Sequence, residues 1–284
     1  MGNETQTTAI AVTDSRVITN IESWSRERFL PFFQGRNYDA WKQDAALAII
    51  ENNNLRECMA TEPGRISIVR ALQRSSSSGL SLNPQKGESA LVAINGKVNF
   101  WPMKNGIAKK ALETGSLEFI EANTIFEGDT FTLRKTAKGD DYDFVPGLEK
   151  RGNAKGFFAV AVLKGGRSVV EYWPLSQAEE HMKKWGKGLK DPKSAWSMHT
   201  NAMHEKSVLK ALLSGLHLPE TVTRLIEMDN DSEQTEETRN VTEEPQDKGT
   251  GADDLAADLA DAAKETEHEV LPQADAAPAD DALF

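Results

Sequence analysis

The chain of 284 residues contains a single cysteine, Cys58. An internal disulfide is therefore excluded, and a reducing compartment is expected. Cys58 sits in "NNNLRECMA" with no histidine nearby, so its expected role is that of a small hydrophobe rather than a nucleophile. No run of about 18 apolar residues occurs, so no membrane span is expected. The opening "MGNETQTTAIAVTDS" lacks the charged and apolar regions of a signal peptide, and Gln6 breaks the myristoylation pattern. The expected location is the cytoplasm.

The motifs of covalent chemistry are also missing. Neither Gly96-Lys97 nor Gly186-Lys187 fits a P-loop, and no G-x-G-x-x-G opens a helix. His199 and His204 are five apart, the wrong spacing for two imidazoles on one helix face, and neither H-E-x-x-H nor G-x-S-x-G occurs. Asp140, Asp141 and Asp143 cluster, but Asp is favoured in turns for its local hydrogen bonds, and a hairpin turn is the expected setting. No metal site and no nucleotide cofactor are expected. These absences move weight from an enzyme to a binding protein.

What is present is a charge split. The net charge of −11 conceals a tail, residues 227–284, with 19 Asp/Glu against three Lys/Arg. The remaining residues hold 25 acids and 30 bases, so the body is basic. The tail has one aromatic residue, Phe284, and few branched apolar ones, and cannot bury enough surface to offset its ordering entropy. The expected organisation is a flexible segment over 1–30, a folded core over 31–228 and a disordered acidic tail over 229–284, with a transient helix at 252–264.

Hydrophobic spacing predicts a helix over 38–60 with Trp41, Ala45, Ala48 and Ile49 on one face, broken at Pro63-Gly64. A second helix follows and ends at Gly79. "SALVAINGKVNFWP" is the clearest local signal: two apolar runs flank Asn95-Gly96, the pair suited to a type I′ hairpin. A helix closing at Gly115, strands within 117–145 with turns at Gly128-Asp129 and Gly139-Asp140, and a strand pair about Gly165-Gly166 come next. Helices follow Pro174. Strands in the middle and helices at both ends predict an α+β fold, a small and mostly antiparallel sheet flanked by helices.

Residues 181–210 carry seven lysines, among them Lys183, Lys184, Lys187, Lys190 and Lys193, against Asp191 and Glu205. Trp185 and Trp196 are interleaved. On one continuous helix Ala195, Met198, Ala202, Leu209 and Leu213 form a stripe whose edge carries His199, Lys206 and Lys210. A second basic set comprises Lys86, Lys97, Lys104, Lys109 and Lys110, with Phe100 and Trp101 between them. Lysine interleaved with aromatics suits a groove that tracks a nucleic-acid backbone and stacks bases. Trp101 and Trp196 are the candidate stacking residues, with core packing as the alternative, and each single lysine has a solvated helix face as its own.

The stretch "GLSLNPQKGESALVAINGKVNFWPMKNGIAKKALETG" resembles the RecT-type signature. "EGD" at 127–129, "VPG" at 145–147, "FFAVAVLKGG" and "SAWSMHTNAMHEKSVLKALLSGLHLPE" resemble later segments of that family, so the likeness runs from about 65 to 228. Lys104-Asn105-Gly106 departs from the family's Tyr-Arg-Gly or Tyr-Lys-Gly, and Glu205-Lys206 from its adjacent basic pair. The resemblance implies a phage-type single-strand annealing recombinase that works without ATP or covalent chemistry. It implies rings or helical filaments of one chain, single-stranded DNA and annealing duplex intermediates as ligands, and a phage exonuclease as partner. It also makes 31–228 the DNA-annealing domain.

The chain end, "PADDALF", resembles the tip of bacterial single-stranded-DNA-binding protein. Asp280, Asp281, Leu283 and Phe284 would present charge, a ring and a free carboxylate to a host replication or single-strand-binding protein. Folding back onto the basic body and simple solubilisation are the other uses considered. The rival functions are an acidic-tailed phage structural or scaffold protein and a nuclease with an unrecognised site.

Overall fold

The computed structural model describes residues 37–186, 189–192 and 194–231, the backbone of 232–234, and the single positions Val17, Thr19, Ile21, Phe29 and Phe33. Lys187, Lys193, the tail beyond these bounds and the tip residues Asp280, Asp281, Leu283 and Phe284 lie outside the described residues. Of the segment expected to be flexible up to residue 30, Val17, Ile21 and Phe29 are buried. The ring of Phe29 lies 5.4 Å from that of Trp41, so this part of the chain supplies core to the first helix.

Capping chemistry sets the N-terminal helices. Helix α1 spans Tyr38–Ile50, and the Asn37 side chain accepts the Ala40 N–H. The single helix expected over 38–60 is two: Asn52 is extended and caps α2, Asn53–Cys58. Helix α3, Glu62–Ser78, begins at the Thr61 cap with Pro63 in its first turn, so Pro63-Gly64, expected to break a helix, instead starts one, α2 having ended at Cys58. It stops at Gly79, whose φ of 75° suits glycine. Trp41 donates its indole N–H to Ser75 and is core. Cys58 is buried, and burial raises its thiol pKa.

Strands β1 (Ser89–Ile94) and β2 (Lys97–Pro102) form the expected hairpin, with φ of 52° at Asn95 and 75° at Gly96. Helix α4, Lys104–Glu113, follows. Strands β3 (Leu117–Phe126), β6 (Ala154–Leu163) and β7 (Ser168–Pro174) make an antiparallel sheet in the order β3-β6-β7. Strands β4 (Thr130–Thr136) and β5 (Gly139–Val145) make a separate hairpin. One face of the central sheet buries Ile125, Phe158, Val160 and Val170 under Phe131, Leu133, Tyr142 and Phe144 of that hairpin. The other face, one residue out of phase, meets the C-terminal helices: the Phe157 ring lies 4.6 Å from that of His204. The fold is α+β, as expected.

Two local expectations fail. The second hairpin turns at Ala137 and Lys138, so Gly139 and Asp140 belong to β5. Asp140 accepts the Val170 N–H at 2.7 Å while Lys135 donates to the Val170 carbonyl at 2.7 Å, which satisfies the outer edge of β7 with side chains. The helix expected to run unbroken through 195–213 is also interrupted. His199, at φ −135° and ψ 43°, separates α6 (Ala195–Met198) from α7 (Thr200–Ser214). Helix α5 (Leu175–Trp185) precedes them, and α8 (Glu220–Gln234) closes the described fold beyond the boundary expected at 228. None of the described helices is long and apolar enough to cross a membrane.

Candidate nucleic-acid interface

The break at His199 divides the expected stripe: Leu209 and Leu213 are buried as expected, but its earlier part is not. Met198 and Ala202 face outward, while Lys206 and Lys210 are buried among Met203, Val208, Leu209 and Leu213. Both ammonium groups point at Asp229 of α8, whose side chain is 0% exposed. Lys206 donates to Oδ1 of Asp229, and Lys210 donates to Oδ2 at 2.8 Å and to Asn230 at 2.9 Å. Two cations expected at phosphates are thus corrected to internal pillars, because burial requires a charge partner and an acid counted with the tail supplies it.

The α4 lysines are engaged as well. Lys104 donates to Glu205 at 2.5 Å and to the Ala122 carbonyl at 3.2 Å, and Glu205 also accepts the Thr124 hydroxyl at 2.7 Å. Lys109 donates to buried Glu88 at 2.8 Å, and Lys110 to Glu113 at 2.7 Å. Burial acts to raise the Glu88 pKa, but the Lys109 bond, the Ser81 N–H and the charges of Lys109 and Lys86 outweigh it and hold the carboxyl below its usual value.

Neither candidate tryptophan is an open stacking face. Trp196 is buried, edge-on to the His204 ring at 5.2 Å, and belongs to the core. Trp101 is half-buried, with the Lys206 ammonium 5.2 Å from its ring centre, so it covers the buried ion pair.

The residues that do face solvent lie between α5 and α7. Lys183, Lys184, Lys190 and His199 are exposed, as are Lys86 and Lys97 on the N-terminal half. Trp185 is 46% exposed, with the Lys184 ammonium 5.0 Å over its ring, and Leu189 and Met198 are exposed too. This run of exposed cations along the chain, with one open indole under Lys184, has the composition of a single-strand platform. Trp185 stands in "KKWGK", where sequence alone does not distinguish it from a core tryptophan.

A second feature lies at the edge of β3, a cleft of about 380 Å³ lined on its polar side by Glu121, Asn123, Asn201 and Glu205. Phe126, Phe144 and Arg151 complete it. Arg151 grips buried Asp129 through Nε at 2.8 Å and Nη2 at 2.6 Å, and its guanidinium sits 4.4 Å from the Phe126 ring centre. That Arg151 bond, helped by the backbone N–H groups of Phe126 and Gly147, holds the Asp129 carboxyl well below its usual range against burial. None of these cleft residues was a candidate site residue in the sequence, since they converge from separate segments; Glu205 entered only in the charge count and as a departure from the family's basic pair.

With this geometry in view, the sequence matches the RecT family over residues 43–243. The chain belongs to that family. It is also similar to the uncharacterized protein YqaK of Bacillus subtilis (strain 168), at 28% identity over 164 residues. That likeness covers 57% of this chain and 54% of YqaK, so it spans about half the length of the curated relative.

In this RecT-family protein half-buried His181 and buried His204 do not add to the cationic surface. Burial, and then the charges of Lys210, His204 and Lys184, push the His181 pKa down to about 4, and burial lowers that of His204. Both are therefore neutral at physiological pH and pack as rings, His181 at 4.8 Å from Trp173. No group of three or more His, Cys, Asp or Glu able to hold a metal ion occurs among the described residues.

Proposed function

We propose that this chain binds single-stranded DNA and anneals complementary strands in phage-type homologous recombination, without ATP and without a covalent step. The observation that carries the reading is the exposed run Lys183, Lys184, Trp185, Leu189 and Lys190, continued by Met198 and His199, in a member of the RecT family. Lysines there neutralise phosphates so that two anionic strands approach, while Trp185 supports bases without reading their sequence. Lys86 and Lys97 extend the cationic surface. Lys187 and Lys193 belong to the same stretch of sequence and join the proposed DNA-binding set.

Assembly into rings or filaments, action in the bacterial cytoplasm beside a phage exonuclease, and a modulating role for Mg²⁺ belong to the same proposal. The tip Asp280, Asp281, Leu283 and Phe284 is proposed to engage a host replication or single-strand-binding protein.

Salt dependence tests which lysines meet phosphate. Removing one lysine–phosphate interaction flattens the log–log salt slope for a single strand by about 0.7, so Lys183→Ala, Lys184→Ala and Lys190→Ala combined should flatten it by roughly 2. Lys206→Ala with Lys210→Ala should leave the slope of whatever protein remains folded unchanged. An unchanged slope in the triple variant would remove the platform from the account. Failure of the wild-type chain to bind single strands at moderate salt would instead favour a scaffold whose lysines only solvate helices.

A further inference from the structure

The β3-edge cleft has a different character from the cationic platform. Its Glu121 carboxylate repels phosphate, its Glu205 carboxylate is paired with Lys104, and its lining cation Arg151 is committed to Asp129. Its walls are nevertheless flat and partly apolar, built from Phe126, Phe144 and Pro146. The Arg151 guanidinium adds a planar surface that cannot swing away, since both of its bonds to Asp129 fix it over Phe126. Phenylalanine and guanidinium planes are the surfaces on which unstacked bases rest.

The polar wall carries two carboxylates. Asn123 donates its amide N–H to Oε1 of Glu121 at 2.6 Å, and Glu205 accepts from Lys104 and Thr124. Asn201 is exposed at the first turn of α7, and Glu205 lies one helical turn further along. Such a wall matches a ligand that offers N–H donors on a flat edge.

We propose that this cleft holds one base of a bound strand with its C4 or C6 edge toward Glu121, and prefers cytosine or adenine, which carry an amino group there, over thymine. Thymine would turn its O4 toward the carboxylate, whereas the amino group donates to it. The inference rests on the single-strand reading above. It deepens that reading by separating two tasks: the platform holds backbone, and the cleft holds a base.

The test uses the full chain and oligo-dT carrying a single photoreactive base, 5-iododeoxycytidine in one oligonucleotide and 5-iododeoxyuridine in the other. Irradiation of the complexes and peptide mapping should place the iododeoxycytidine crosslink on Phe126, Phe144 or their neighbours. One added hydrogen bond makes its yield there roughly three- to tenfold that of iododeoxyuridine. Glu121→Ala, at an exposed site where folding is not at stake, should bring the two yields together. Equal yields in the wild-type protein overturn the preference. Crosslinks confined to the 183–199 region while the oligonucleotide is bound overturn the cleft as a base site and leave the single-strand reading standing. No binding of either oligonucleotide overturns both.

Discussion

Asp229→Ala is expected to cost about 3–5 kcal/mol of stability, the penalty for removing one partner of a buried ion pair. Here a single carboxylate serves two ammonium groups, with the Lys206 and Lys210 side chains only 7% and 9% exposed. Domains of this kind are stable by roughly 5–15 kcal/mol, so the variant should be marginal. Asp229→Asn keeps an acceptor and the volume but not the charge, and should fall between wild type and Asp229→Ala in urea denaturation. A chain ending after Met228 should behave like Asp229→Ala, since the carboxylate is lost with the rest of α8. Replacing all three groups together, Lys206→Met, Lys210→Met and Asp229→Leu, should recover most of the loss, because an apolar triad needs no charge partner. A loss below about 1 kcal/mol for Asp229→Ala would show that water reaches these groups and that they are not pillars.

The second large effect is expected at Gly106, in the first turn of α4. A Cβ at this position would lie 2.0 Å from the Glu88 carbonyl oxygen, 2.8 Å from its carbon and 2.9 Å from Leu80 Cδ1. The obstacle is mainly backbone, already held in place by the Met103 N–H bonded to that same carbonyl at 2.9 Å, so no rotamer change relieves it. Gly106→Ala should therefore cost about 3 kcal/mol or more and push α4 away from the start of β1, despite alanine's better helix propensity. Gly115→Ala is the control for glycine loss at the other end of the helix, where φ is 70° and nothing lies within 4 Å of the added carbon. It should cost only the left-handed conformation, about 1 kcal/mol. Equal effects at the two glycines would contradict the close approach.

What the sequence made legible was local. Asn95-Gly96 specifies its own turn, because both residues accept positive φ, and the hairpin follows. Gly79 marks a helix end by chemistry that involves only its neighbours, whereas the equally local caps at Asn52 and Thr61 go unread by hydrophobic spacing, which misses the break at Asn52. What was illegible depended on distance or phase. Nothing in "SMHTNAMH" announces that His199 leaves the helix, with neither proline nor glycine present. Nor does the sequence show that Lys206 and Lys210 are buried against an acid rather than exposed. Their partner lies 23 and 19 residues away, in a stretch whose composition reads as tail. Likewise, Lys104 meets its acid 101 residues later. Charge counts therefore overstated the available cations. Of the expected lysines, Lys183, Lys184 and Lys190 are exposed in the stretch that holds Trp185, a residue that spacing alone leaves indistinguishable from core, and Lys86 and Lys97 are exposed on the N-terminal half.

The central claim is that exposed cations around Trp185 bring two strands together without nucleotide hydrolysis. Mixing two complementary oligonucleotides with the full chain, with no ATP present, and following duplex formation by fluorescence quenching tests it most directly. Wild-type protein should accelerate annealing well above the protein-free rate. The combined Lys183→Ala, Lys184→Ala, Lys190→Ala and Trp185→Ala variant should remain folded and lose that acceleration. Annealing no faster than the protein-free rate in wild type, or undiminished in the folded variant, would contradict the account.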